Sequence, residues 1–137
     1  IGTLFQRRVY PEAIGISCPG LRAKRKDVPF RVEITNDAAD PSYGEVLEHC
    51  FIGSAPYFNE VVFFHRPTNS LLVTDLYWNY PQEASKLWRF GMNQLYKPVY
   101  QNILIRDEAD FRRSLTRILS WDIEQIIPCH GDIVKNN

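Results

Sequence analysis

Between residues 60 and 76 two apolar, β-prone runs flank a short polar turn, and this pattern constrains the fold more than any other. Glu60-Val61-Val62-Phe63-Phe64-His65 leads into Arg66-Pro67-Thr68-Asn69-Ser70, and Leu71-Leu72-Val73-Thr74-Asp75-Leu76 follows. Two such runs around a turn predict a β-hairpin. Neither run alternates cleanly between apolar and polar, and continuous apolar strands are covered on both faces. The hairpin is therefore expected at the centre of the fold, beneath helices or another sheet. A chain of 137 residues can build that cover, because at this size roughly two-thirds of the unfolded surface is buried. One domain spanning 1–137 is expected, not two.

The elements around the hairpin read as follows. Thr3 is placed to cap a short helix reaching Arg8 or Val9, stopped by Pro11. Ala13 to Cys18 reads as a short strand, Pro19-Gly20 as a turn, and Leu21 to Lys26 as one basic helical turn. Phe30 to Ile34 alternates with period two, so a half-buried strand is expected there. Asn36 to Gly44 has loop chemistry, and Val46 to Ile52 is a further strand. Beyond the hairpin, Ala84, Leu87, Trp88, Met92 and Leu95 recur at helical spacing over Gln82–Tyr96, with Gly91 weakening the helix. Asp107 or Asp110 opens a second helix whose stripe is Phe111, Leu115, Ile118 and Leu119, with Arg112, Arg113 and Arg117 outside. Both stripes are expected in the core. Glu124 to Pro128 is a last buried strand leading into Cys129-His130-Gly131-Asp132. Hairpins first and helices later make a mixed, layered α/β fold. A final strand parallel to its neighbour would return through a right-handed crossover.

Composition removes several classes. Lys and Arg total 16 and Asp and Glu total 16, so the net charge is zero, which argues against a dedicated nucleic-acid binder. The charges are segregated: residues 1–31 hold seven basic and two acidic groups, and residues 32–60 hold six acidic and none basic. This is expected to produce two solvated, mutually attracting faces. Arg22, Lys24, Arg25 and Lys26 could meet phosphates, but no aromatic platform is interleaved with them. No run approaches the ~18 apolar residues of a membrane span, and the N-terminal residues lack a signal-peptide layout. Cys18, Cys50 and Cys129 are odd in number and widely spaced, without a CxxC pair, so reduced thiols in an intracellular compartment are expected. Neither a Gly-x-Ser-x-Gly elbow nor a glycine-rich phosphate loop is present. The first residue is Ile rather than Met, which leaves a trimmed or fragmentary chain open.

Two polar residues stand where strands end: Asp75 after Leu71–Thr74, and His130 after Ile126–Cys129. A carboxylate at the end of a buried strand needs a cation, a metal or several donors to offset its desolvation, and neutral imidazole is a common metal ligand. Gly131 permits a sharp turn behind His130. The plainer alternative is an aspartate bracing a turn and a histidine bonded to backbone. His65, beside Arg66-Pro67, is expected to be structural. His49–Cys50 and Cys129–His130 are not dyads, because neighbours in a strand point to opposite faces. Cys129 is expected as a small buried hydrophobe. Tyr77-Trp78-Asn79-Tyr80 reads as core, or as the wall of an apolar pocket beside the site.

The segments Asn59–Pro67, Leu71–Leu76 and Ile127-Pro128-Cys129-His130-Gly131 resemble the second half of a metallo-β-lactamase-like domain. Tyr10-Pro11-Glu12-Ala13 and Gly20-Leu21-Arg22-Ala23-Lys24-Arg25 resemble, more narrowly, an uncharacterised branch of that superfamily. The resemblance implies a layered αββα sandwich, incomplete at its N-terminus, with a zinc or iron site at one sheet edge that activates water for hydrolysis. It implies Asp75 and His130 as metal ligands. The superfamily's His-x-His-x-Asp-His motif is absent, histidines stand only at 49, 65 and 130, and Ser54 follows Gly53 where the family places a histidine. Hydroxyl is a poor zinc ligand, and two donors make neither a closed nor a catalytic site. The expectation is a domain with a degenerate or incomplete metal site and an ancestral metal-dependent hydrolase activity, its small-molecule substrate unknown. The alternative is a non-catalytic binding or interaction module on the same fold. Neither nucleic acid nor membrane is an expected partner. An incomplete sandwich exposes an apolar face, so oligomerisation, partial disorder or aggregation is expected.

Overall fold

The computed structural model describes residues 9–55, 59–79, 83–99 and 104–136. The N-terminal helix expected from Thr3 lies outside these residues, apart from Val9. The chain divides into two compact units, Ile1–Asn36 and Asp37–Asn137. It is an α/β protein with one two-stranded and one five-stranded sheet and short helices. No described helix is long and apolar enough to cross a membrane.

In the first unit, β1 (Gly15–Ser17) and β2 (Phe30–Glu33) pair in parallel, joined through the single-turn helix α1 (Leu21–Lys24). Gly20 opens α1 with φ 82°, the left-handed geometry that its missing Cβ allows. The Ser17 hydroxyl donates to the Val32 carbonyl at 3.2 Å, and the Ile34 amide to the Ser17 carbonyl at 2.9 Å, extending the pairing beyond the strands.

The second unit is built on β3 (Leu47–Ile52), β4 (Glu60–His65), β5 (Ser70–Val73), β6 (Gln125–Pro128) and β7 (Val134–Lys135), ordered β3-β4-β5-β6-β7. All pairs are antiparallel except β5 with β6, which run in parallel. A 3₁₀ turn at Arg66–Thr68, with Asn69 at φ 47°, joins β4 to β5 as the hairpin pattern predicts. His65 Nδ1 lies 2.7 Å from the Thr68 hydroxyl, so this histidine fixes the turn.

The sequence predicts helical segments between β5 and β6. The structure resolves them as α2 (Lys86–Gly91), a π-helical turn over Met92–Tyr96, α3 (Lys97–Val99), and α4 (Glu108–Leu119). Ser85 caps α2, accepting from the Trp88 amide, and Asp107 caps α4, accepting from the Asp110 amide at 2.9 Å. Gln82 lies outside the described residues. β7 was not expected from the sequence; two residues carry too short a pattern to register.

The core lies between one face of the large sheet and α4. Cys50, Ile52, Val62, Leu71 and Val73 on the sheet meet Ile118 on the helix, with Phe111, Trp121, Ile123 and Ile126 packed around them. Phe64 stacks on Trp121 at 5.4 Å and 12°. The opposite sheet face differs from the expectation of cover on both sides. Val61, Phe63 and Ile127 are half-buried and Leu72 is 38% exposed. β4 therefore alternates in burial although its sequence does not alternate in polarity. The stripe of α4 also differs. Ser114 is buried where a larger side chain was expected, because the Cys50 thiol packs on its carbonyl, while Leu119 points to solvent.

Two acids of the run are paired inside the second unit: Asp37 with Arg117 at 3.6 Å and Glu48 with Arg66 at 2.8 Å. Asp37 also accepts from the Phe51 amide at 2.6 Å, and Glu48 from the Trp121 indole at 3.0 Å. Arg112–Glu108 and Arg113–Asp110 line the solvent face of α4. Such exposed pairs contribute only about 0–1 kcal/mol each, so apolar burial across Ile118 dominates the docking of α4. Ile118→Ala should lower the unfolding free energy by about 2–5 kcal/mol, measured by urea denaturation. A loss below about 1 kcal/mol would show that α4 is not anchored there.

Candidate functional site

β5 and β6 are parallel and in register, their last paired residues being Val73 and Pro128. Asp75 and His130 each lie two positions beyond, so the pairing delivers both to the same edge of the sheet. The Cys129 amide donates to the Val73 carbonyl at 2.9 Å, carrying the ladder one step further. His130 Nε2 then lies 3.6 Å from Asp75 Oδ1, with the side chains 49% and 36% exposed. That separation is too long for a hydrogen bond. It is close to the roughly 3.4 Å expected between two donors on one tetrahedral zinc, given zinc–ligand distances near 2.1 Å. The structure thus brings together the two residues that the sequence singles out.

Glu60, a residue that sequence reasoning passed over, sets the position of Asp75. Continuing the β4–β5 register past Phe63↔Leu72 would place Glu60 opposite Asp75. There its carboxylate replaces the backbone ladder. Oε1 accepts from the Thr74 amide at 2.5 Å, and Oε2 from the amides of Asp75 at 3.1 Å and Leu76 at 2.6 Å. The side chain is 5% exposed. Burial pushes its pKa above the ordinary carboxylate value, with the nearby Asp75 charge adding to the rise, while hydrogen bonds from Thr74 and from the Leu76 amide restrain it. A signal was legible in the sequence: period two places Glu60 on the same buried face as Val62 and Phe64, where a charge must be compensated.

The loop carrying His130 is held against the Asp75 side. The Asn79 amide donates to the His130 carbonyl at 3.2 Å, and the Asn79 side chain to the Asp132 carbonyl at 2.8 Å. Gly131 has φ 95°, and a Cβ there would lie 1.4 Å from the Asn79 carbonyl oxygen, so only glycine fits. Trp78 packs on the His130 ring at 4.5 Å and on Tyr96 at 5.6 Å. Beside Asp75 opens a cleft of about 170 Å³, mainly apolar, walled by Leu76, Tyr77, Trp78, Met92, Tyr96 and Lys97. The aromatic cluster after Asp75 is thus pocket wall; Tyr80 lies outside the described residues.

Other expectations fare differently. Cys129 is exposed, not buried, because β6 ends at Pro128 and the residue belongs to the rim loop. Cys50 is fully buried and its thiol is pushed up to about 11, chiefly by desolvation, which makes it unreactive. His49 and Cys50 point to opposite faces, His49 Nδ1 lying 3.2 Å from the Tyr43 hydroxyl. In the basic segment, Arg22 pairs with Glu33 at 3.6 Å and Arg25 with Asp27 at 2.9 Å, so two of its four cations already have acidic partners. Ser54 is 5% exposed, its hydroxyl without a hydrogen-bond partner among the described residues.

A structural zinc takes four protein ligands, and a catalytic one takes three and a water. Among the described residues no group of three or more His, Cys, Asp and Glu side chains could hold a metal ion. Asp75 and His130 supply two donors, and these residues alone do not fit a resident zinc or iron. No family model, curated protein or solved structure matches the chain.

Glu60→Gln presents an amide NH₂ toward backbone amides and should destabilise the fold by about 1–3 kcal/mol. With its pKa raised, Glu60 is protonated in the folded state over a window where the unfolded state is ionised. The wild type should therefore lose stability relative to Glu60→Gln as pH rises from the ordinary carboxylate value through the raised one. A gap between the two urea curves that widens over that window would contradict the assignment. Gly131→Ala combines a left-handed φ with an overlap and should cost roughly 3 kcal/mol in the same measurement; a neutral effect would exclude the close approach to Asn79.

Proposed function

We propose that this chain is a non-catalytic binding module on a metallo-β-lactamase-like scaffold. Asp75 and His130 hold the polar end of a small ligand, and Trp78, Met92 and Tyr96 receive its apolar body. The observation that carries this reading is the 3.6 Å convergence of Asp75 and His130 beside an aromatic-walled cleft, with a donor count of two. A half-exposed acid and imidazole present a hydrogen-bond acceptor and a ring-nitrogen partner to a ligand, while apolar walls supply contact area. The five-stranded mixed sheet, with α4 on one face and a half-buried apolar opposite face, supports the layered αββα scaffold as the setting. The three free thiols support a reducing, intracellular compartment.

The same convergence favours a second reading, a metal-dependent hydrolase whose further ligands come from outside the described residues. A separation close to that of two donors on one zinc is its support. It requires at least one more nitrogen, oxygen or sulfur donor.

Dialysis against zinc followed by elemental analysis separates the two. The binding module should retain less than ~0.2 zinc per chain, unchanged by Asp75→Ala, where a catalytic site would approach one ion. Stoichiometric zinc lost in both Asp75→Ala and His130→Ala would replace the first reading with the second. The cleft itself should bind the fluorescent aromatic anion anilinonaphthalene sulfonate, with affinity falling at least about fivefold in Trp78→Ala. Unchanged binding in that variant would remove the cleft from the site.

A further inference from the structure

The cleft beside Asp75 joins an acidic end to aromatic walls. Asp75 lines it with a partly exposed carboxylate, and His130 Nε2, 3.6 Å away, stands beyond hydrogen-bond length. Glu60 accepts from the Asp75 amide, so two acids meet at this end. Tyr77, Trp78 and Tyr96 bring three rings to the walls, and Met92 a polarizable thioether. The helical stripe predicted over Gln82–Tyr96 supplies part of this lining because the π-helical turn splits it. Met92 and Tyr96 line the cleft, whereas Leu87, Phe90 and Leu95 stay mostly exposed.

The class of ligand follows from charge and size. Aromatic rings carry negative charge on their faces and attract cations, whereas an anion would be opposed by the acids at this end as well. Lys97 also lines the cleft and has an interaction of its own within the chain, which puts the place for a ligand's cation at the Asp75 end. A volume of about 170 Å³ is below the roughly 300–1,000 Å³ of sites for drug-sized molecules, so the cleft takes a head group. A primary ammonium would bring three N–H donors into a mainly apolar space, where each donor without an acceptor is costly. A quaternary ammonium brings none. We propose that the cleft binds a small quaternary alkylammonium ion, its charge beside Asp75 and its methyl groups against the aromatic walls. This rests on the binding-module reading and names the ligand class of that same site.

Isothermal titration calorimetry of the full chain with three probes of similar size tests it. Choline should bind at least about tenfold more tightly than its uncharged isostere, in which a tert-butyl group replaces trimethylammonium. The anion tert-butylacetate should bind no better than that isostere. Asp75→Asn keeps the shape of the side chain without its charge, and should lower the affinity for choline about tenfold while leaving that for the isostere unchanged. Tyr77→Leu should lower the affinity for choline about threefold. Both side chains are partly exposed, so circular dichroism of these variants should match the wild type; the comparison of probes on the wild type needs no variant. Equal affinity for choline and its isostere would overturn the proposal. So would tighter binding of the anion, or choline binding that ignores Asp75→Asn. If anilinonaphthalene sulfonate binding depends on Trp78 while choline gains nothing from its charge, the binding module stands and this ligand class falls. If neither probe depends on the cleft, both fall.

Discussion

The parallel pairing of β5 with β6 is the constraint on which the candidate site depends. Antiparallel neighbours joined by a tight turn place their successive strand ends at opposite edges of a sheet. Parallel neighbours place them at the same edge, at the cost of a long connection. Here the connection contains α2, the π-helical turn, α3 and α4, and the core against Ile118 holds α4 on the sheet. Because Val73 and Pro128 end the ladder as partners, residues two positions further along each strand share both an edge and a phase. The meeting of Asp75 and His130 follows from that register; neither side chain has to reach.

Two acids stand close together at this edge with opposite fates. Glu60 is buried and accepts from three backbone amides, whereas the Asp75 carboxylate is partly exposed, with His130 Nε2 3.6 Å away. The first arrangement costs desolvation and returns a fixed turn. The second costs little and leaves an acceptor for a ligand. Burial, more than residue type, separates the bracing carboxylate from the available one.

Much of this was legible from the residues. The hairpin, the strands at Phe30 and Leu47, and the helix capped by Asp107 each announce themselves through local pattern, turn chemistry or a capping residue. Asp75 and His130 were legible as polar residues closing apolar runs. What escaped was whatever depends on distant partners. β4 has no alternation of polarity, yet one of its faces packs on α4 and the other stays half-buried. Cys129 was expected as a small buried hydrophobe, but it follows the strand and stands exposed in the rim loop. Glu60 could be named as misplaced but not given its partners, since those amides lie in a turn about fifteen residues on.

The helical segment after β5 shows why apolar periodicity alone does not establish a core. Leu87 and Leu95 sit at spacings that would share a face in an uninterrupted α-helix with Trp88 and Met92. A π-helical turn spreads five residues over about one full revolution, so apolar side chains on either side of it diverge. Part of the stripe then walls the cleft beside Asp75, and part is left largely exposed to water. Leaving three large apolar side chains mostly exposed is unfavourable for an isolated molecule, by about 25 cal/mol for each Å² of apolar surface that a partner could cover.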